Sequence, residues 1–260
     1  MPILLNRTRV FHAVLLISLA ALPGQGEGYR YGGTFIGTAI GSDGIVIASD
    51  SRTTFMDGSG RAFGYLDGMP KIYVDRGAAV AISGLSSLEG ELFSSFVNRN
   101  RYLLARPVNE ILFGFLLWMP LTNGNNIGMI SAGFLEGKPM ICAKSPILPQ
   151  SCASTGFISS KNSALLRDTL TKLGRAPAAA EAAAALTAAI EEYSRTDPTV
   201  GGPISILKLS GSAPPQWFAN PPSDGGLTQI CDLVRVRRAQ IMPLGTPQDL
   251  NAHLNAACPK

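Results

Sequence analysis

Two apolar runs separated by a few turn-forming residues constrain the fold of this chain more than any other feature. Residues 34–40 and 44–48 are rich in Ile, Val, Ala and Thr, and Gly41-Ser42-Asp43-Gly44 between them tolerates the positive φ of a tight turn. A β-hairpin follows. A second hairpin is predicted from residues 71–74 and 78–83 across Asp75-Arg76-Gly77, with the polar, Gly-rich residues 57–68 as a loop between the two.

Helical patterns come next. Residues 86–104 start on Ser86 and carry Leu88, Leu92, Phe93, Phe96 and Leu103 on a broad stripe, while residues 108–119 are apolar nearly all round, as in a buried helix. Strand-like runs at 127–134 and 139–142 lead to two more predicted helices, 161–173 and 177–193. The second begins on Pro177, whose missing N–H costs nothing at a first helical position. Residues 204–209 and 230–237 read as closing strands. Strand and helix blocks segregated in this way favour an α+β architecture, with two sheets face to face and helix pairs outside.

The first residues read as an export signal. Arg7 and Arg9 precede the apolar run 10–22, which is too short to span a bilayer and breaks at Pro23-Gly24. The chain is therefore expected to be secreted or periplasmic, with no stable membrane span after processing. Such a compartment makes Cys142, Cys152, Cys231 and Cys258 disulfide candidates. Pairing 142 with 152 and 231 with 258 closes the shortest loops, although four cysteines allow three connectivities. The cysteine spacing does not suit zinc. No metal and no cofactor is expected. The net charge of +4 is modest, no basic stripe is interleaved with aromatics, and the densest cluster, Arg235, Arg237 and Arg238, reads as a solvated strand edge. Nucleic acid is not an expected partner.

Imidazole is scarce: the chain holds His12, in the leader, and His253. A hydroxyl nucleophile needs a base within reach. Thr34, which follows Gly32-Gly33 at the head of the first strand, would carry one in its own α-amine if the chain were cut before it, because that amine titrates at about 7.7 to 8.0. A Ser/His/Asp arrangement using His253 with Ser83 or Ser154 is the rival, but the sequence has no G-x-S-x-G elbow.

Residues 34–84 resemble the front half of a proteasome β-type subunit, the threonine-peptidase branch of the N-terminal nucleophile (Ntn) hydrolases. The resemblance rests on Gly33-Thr34, Asp50-Ser51-Arg52, Lys71-Ile72 and Ala81-Ile82-Ser83-Gly84, and later on Thr155-Gly156 and Asp197-Pro198-Thr199-Val200-Gly201-Gly202. It covers residues 33–210. It implies a four-layer αββα sandwich and a threonine endopeptidase assembled as a homo-oligomeric ring; export, read from the leader, would restrict its substrates to peptides or unfolded chains. Residues 1–24 would be the signal peptide, 25–33 a propeptide-like segment, 34–240 the Ntn domain and 241–260 a tail.

The implied roles are specific. Thr34 would be the nucleophile and Lys71 its electrostatic partner, with Asp50 pairing the lysine and the Gly84 N–H serving as oxyanion donor. Thr155 would supply the hydroxyl where that family has a serine beside a glycine, and Asp197 the carboxylate that orients the threonine amine. Thr53, Thr54 and Ile82 would contact substrate, and Arg52, Gly201 and Gly202 would brace the turns. Three departures stand out: Val200 occupies a position where that family commonly carries a hydroxyl, the 52–71 segment is several residues longer than usual, and Thr34 lies beyond the reach of a signal peptidase acting at the apolar run. A catalytically silent scaffold of the same fold is the alternative.

Overall fold

The computed structural model describes residues 30–259, apart from residues 33, 85, 89, 119–127, 146–148 and 220–221. The signal-peptide reading of residues 1–24 lies outside the described residues. In chain order the elements begin with β1 (Arg30–Gly32), β2 (Ile36–Gly41), β3 (Gly44–Ser49), β4 (Thr53–Met56), β5 (Ala62–Leu66), β6 (Ile72–Asp75) and β7 (Ala78–Ile82). A two-stranded ribbon of β8 (Ser87–Leu88) and β9 (Glu91–Leu92) precedes α1 (Phe93–Arg99) and two 3-10 segments, Arg101–Ala105 and Ile111–Trp118. Then come β10 (Met129–Leu135), β11 (Lys138–Lys144), β12 (Ser151–Ala153), β13 (Phe157–Ser159), α2 (Ala164–Lys172), α3 (Ala179–Ser194), β14 (Ser205–Leu209) and β15 (Gln216–Trp217). The chain closes with α4 (Ile230–Arg237), β16 (Met242–Pro243) and α5 (Pro247–Ala257).

The architecture is mixed α/β with antiparallel sheets. One five-stranded sheet runs β13-β2-β3-β14-β15, a second β12-β11-β10-β7-β6, and a four-stranded sheet β1-β4-β5-β16. Strand alternation explains how they pack. Ile36, Ile45 and Ile47 on one face of the first sheet share a buried cluster with Ile72, Ala81, Ile130 and Ile141 of the second. The residues between them point the other way: Phe35, Ala39, Val46 and Ala48 pack against Leu166 of α2 and Ala182, Leu186 and Ile190 of α3. On the far side of the second sheet, Val80, Ile82 and Met129 meet Phe93 and Val97 of α1 and Ile111, Leu112 and Phe115 of the longer 3-10 segment.

Both expected hairpins form, β2 with β3 and β6 with β7. Four other expectations are corrected. Residues 57–68 are not all loop: Phe63 and Leu66 are buried, and Ala62–Leu66 pairs with β4 as β5. Residues 86–104 are not one helix. Their start becomes the β8–β9 ribbon, because Leu92 N–H donates to the Thr228 carbonyl and the Gly90 carbonyl accepts from Ile230 N–H, drawing the segment to the C-terminal part of the chain. Within the expected 108–119 helix, Ile111–Trp118 is a 3-10 segment with Phe113 and Leu116 exposed, not a helix buried on all sides, and residue 119 lies outside the described residues. Residues 230–237 form α4 and not a strand, since Ile230, Leu233 and Val234 are the buried residues and their i, i+3, i+4 spacing is helical.

Two disulfides join Cys142 to Cys152, between the neighbouring strands β11 and β12, and Cys231 of α4 to Cys258 at the end of α5. Among the described residues no helix is long and apolar enough to cross a membrane.

Candidate active site

Asp50, at the end of β3, is the centre of the site. It is 1 % exposed, and four donors converge on its carboxylate. Oδ1 accepts from the Phe35 backbone N–H at 2.9 Å and from Lys71 Nζ at 3.2 Å, while Oδ2 accepts from the backbone N–H groups of Arg52 at 3.2 Å and Gly201 at 2.9 Å. A buried carboxylate is tolerated only when paired and hydrogen-bonded in this way. The fold thus gathers the 34–35 end of β2, the Asp50-Ser51-Arg52 turn, Lys71 and the 200–202 turn around one anion.

Lys71 is 3 % exposed and also donates to the Arg52 carbonyl. Burial lowers its pKa below the ordinary lysine value, and the neighbouring Asp50 opposes that shift. Thr34, next to Phe35, is likewise buried, and among the described residues its Oγ1 has no hydrogen-bond partner. An unpartnered buried hydroxyl is costly. It stands at a strand head, one residue before the Phe35 N–H that shares Asp50 Oδ1 with Lys71.

The two turns interlock through Arg52. Its guanidinium forks onto the Asp67 carboxylate, Nε to Oδ1 at 2.8 Å and Nη2 to Oδ2 at 3.0 Å, and Nη1 reaches the Pro198 carbonyl at 3.0 Å. The Tyr65 ring lies under it, 3.7 Å from centroid to Cζ. The Asp67 contact raises the Arg52 pKa still further, so the residue is a fixed cation. Gly201 and Gly202 fit because a Cβ on the first would lie 2.6 Å from Arg52 Cζ, and one on the second 2.7 Å from Ser51 Oγ.

Lys71, Ile82 and Gly84 line one small pocket together with Met69, Tyr73 and Ser86. Thr53 faces it from β4 through a 3.1 Å contact between its Oγ1 and Ser86 Oγ. Thr54 is buried in β4, where it pairs with Tyr65 on one side and with Gly32 on the other. Strand β1, immediately upstream of Thr34, is therefore hydrogen-bonded along the β4 edge, with Tyr31 opposite Phe55 and Arg30 opposite Met56.

Of the two later residues, Thr155 falls elsewhere. Thr155 is exposed, and the carbonyl of its neighbour Gly156 accepts from Ile40 N–H, six residues up β2 from Thr34 and so about 20 Å along the strand. Distance removes it from the site. Ser160 stands closer: its Oγ accepts from Ile36 N–H at 3.0 Å, and its own N–H donates to the Ile36 carbonyl at 2.8 Å. The signal for it was the Phe157-Ile158-Ser159 strand running antiparallel to β2, which carries the next residues toward Thr34. Asp197 is engaged by Thr199, through its N–H at 2.9 Å and hydroxyl at 2.6 Å, and by Lys161 Nζ at 3.0 Å. Burial alone would raise the Asp197 carboxyl, but these bonds outweigh it and hold the pKa below the ordinary value. Val200 sits in the apolar cluster of Phe35, Ala189 and Ile190, where a hydroxyl would have to be desolvated. His253 stacks on Phe63 in the C-terminal region at 4.5 Å between centroids, while Ser83 lies at the end of β7, its N–H bonded to the Gly128 carbonyl.

No family model matches the chain, and no curated protein matches it. Among solved structures, the fold is similar to that of an Anbu (Gly-1) mutant from Hyphomicrobium sp. strain MC1, with a TM-score of 0.50 at 14 % identity, covering 80 % of this chain and 93 % of that one. At that identity the likeness shows the fold alone. It also corrects the family resemblance drawn from the motifs, because the match is to Anbu, a proteasome-like Ntn protein related in fold to β-type subunits. The chain has a proteasome-like fold, and the Thr34, Asp50 and Lys71 pattern does not make it a member of the β-type subunit family.

Proposed function

We propose that this chain is an exported Ntn threonine peptidase that releases its own nucleophile by scission between Gly33 and Thr34. One observation carries the reading: Asp50 Oδ1 holds both the Phe35 N–H and Lys71 Nζ, which brings a buried lysine to the residue beside a buried, unpartnered threonine hydroxyl. Two face-to-face sheets with α2–α3 on one side and α1 with its 3-10 segments on the other are read as the four-layer αββα sandwich of such enzymes. In this reading residues 1–24 are removed as a signal, 25–33 are the pro-segment, 34–240 form the catalytic domain and 241–260 extend it. The working form is a homo-oligomer.

The first step adds Thr34 Oγ to the Gly33 carbonyl. The Gly33–Thr34 C–N bond breaks, the hydroxyl proton passes to the departing nitrogen, and water then hydrolyses the resulting ester to a Gly33 carboxylate and a free Thr34 amine. That amine is the base for later turnover. Lys71 stabilises the developing alkoxide, and the Gly84 N–H stands as donor to the oxyanion. Substrates add to the β4 edge as β1 does, with Thr53, Thr54 and Ile82 around the scissile residue. Ser160 supplies the hydroxyl that the resemblance assigns to Thr155.

N-terminal sequencing and intact mass of the exported protein test this. Thr34 is expected first, Thr34→Ala is expected to stay joined to Gly33 and to lack peptidase activity, and a mature chain beginning between residues 25 and 31 overturns the reading. The scaffold alternative draws support from Asp197, whose carboxylate is already taken by Lys161 and Thr199.

A further inference from the structure

Lys71 reaches Asp50 only because residues 67–70 run along a fixed path between β5 and β6. That segment is held to the Asp50 turn from inside: Met69 N–H donates to the Ser51 carbonyl at 2.9 Å, Gly68 N–H to Ser51 Oγ at 3.1 Å, and the Asp67 carboxylate takes the Arg52 fork. Gly68 has φ +82°, a conformation that glycine alone adopts without strain, so the path is a specific one.

The outer side of the same segment is held by a residue from the far end of the sequence. Arg237, half-buried in the last turn of α4, donates through Nη2 to the Asp67 carbonyl at 2.7 Å and through Nη1 to the Gly68 carbonyl at 3.4 Å, with Nη1 also 3.7 Å from the Met69 sulfur. Its Nε donates to Gln240 Oε1 at 2.7 Å, which fixes the guanidinium plane. The helix that carries it is seated by Ile230, Leu233 and Val234 against Phe55, Phe63 and Met69, and Cys231 ties it to the end of α5. One short segment, four residues before the lysine at its furthest, thus lies between two guanidinium groups.

We infer that Arg237 is a positioning residue for Lys71: the C-terminal α4–α5 layer holds the 67–69 backbone, and through it places the buried ammonium at Asp50. The inference rests on the proposed reaction for its catalytic meaning, and on geometry alone for its structural one. Lysine is a poor substitute, because a point charge can satisfy one carbonyl and cannot span two. Methionine keeps the stem and removes every donor.

The test uses the full exported chain with its disulfides intact, in wild-type, Arg237→Met and Arg237→Lys forms. Acetic anhydride labelling read by mass spectrometry reports the accessibility of Lys71, with the ion-paired Lys161 and Lys208 as internal controls. In Arg237→Met, Lys71 labelling is expected to rise about tenfold while the two controls stay level, and Gly33–Thr34 scission to slow by about the same factor, a loss on the scale of one charged hydrogen bond. Arg237→Lys is expected to recover part of both. Unchanged Lys71 labelling, an equal rise at all three lysines, or scission at the wild-type rate overturns the inference. If the wild-type chain does not sever at Gly33, the functional reading falls, and the labelling alone decides whether Arg237 places Lys71.

Discussion

Asp50 shows how one residue can join sequence-distant parts into a site. Its neighbours in the chain are Ser49, the last residue of β3, and Ser51, yet its four donors come from positions 35, 52, 71 and 201. Replacing it with Asn keeps the shape and removes the charge, leaving the Lys71 ammonium buried without its counter-ion. Breaking a buried pair in this manner costs about 3 to 5 kcal/mol. Asp50→Asn is therefore expected to lower the urea midpoint by that equivalent and to abolish scission before Thr34, as read by denaturation and intact mass.

At the scale of elements, the turns 50–52 and 200–202 interlock with no room for an added side chain at Gly201 or Gly202. Gly202 has φ +74°, and an added Cβ would lie 2.7 Å from Ser51 Oγ and 2.9 Å from Asp67 Cβ. Gly202→Ala is expected to lose at least about 1 to 2 kcal/mol from the backbone conformation alone, with chemical denaturation as the measurement and no change as the contrary result. The elements also show what was legible in the sequence. The β2–β3 and β6–β7 hairpins, α2 and α3 were readable because local turn chemistry and periodicity agree with the tertiary fold. The β4–β5 hairpin was not, since Gly60 and its polar neighbours at the turn disguise a strand whose buried residues are Phe63, Gly64 and Leu66. Helix α4 was missed because its β-branched Ile and Val residues favour a strand locally, while its i, i+3, i+4 burial is imposed by packing on β4 and β5. Within the site, Asp50, Lys71 and Gly201 were legible through the short motifs that carry the family resemblance. Ser160 does not, because only the register of β13 on β2 brings it there.

The whole molecule is held together across a long sequence interval. The four-stranded sheet joins β1 to β16, and the α4–α5 layer buries Leu250, Leu254 and Cys258 against it. The Cys231–Cys258 disulfide closes a loop of 27 residues. A loop of that size stabilises by about 2 to 4 kcal/mol, chiefly by restricting the unfolded chain. The Cys231→Ser, Cys258→Ser double variant is expected to melt roughly 4 to 16 °C lower in a chain of this size. An unchanged midpoint by calorimetry would mean the layer is held by its apolar contacts alone.

Strand β1 bears on timing. While it is covalently joined to Thr34, it meets the β4 edge at the high local concentration of a tethered ligand. Cutting the tether would change nothing in those hydrogen bonds at first, so a newly matured enzyme would start as a complex with its own severed peptide. Its earliest inhibitor would be that peptide, its onset of activity would lag behind cleavage, and the delay would shorten on dilution.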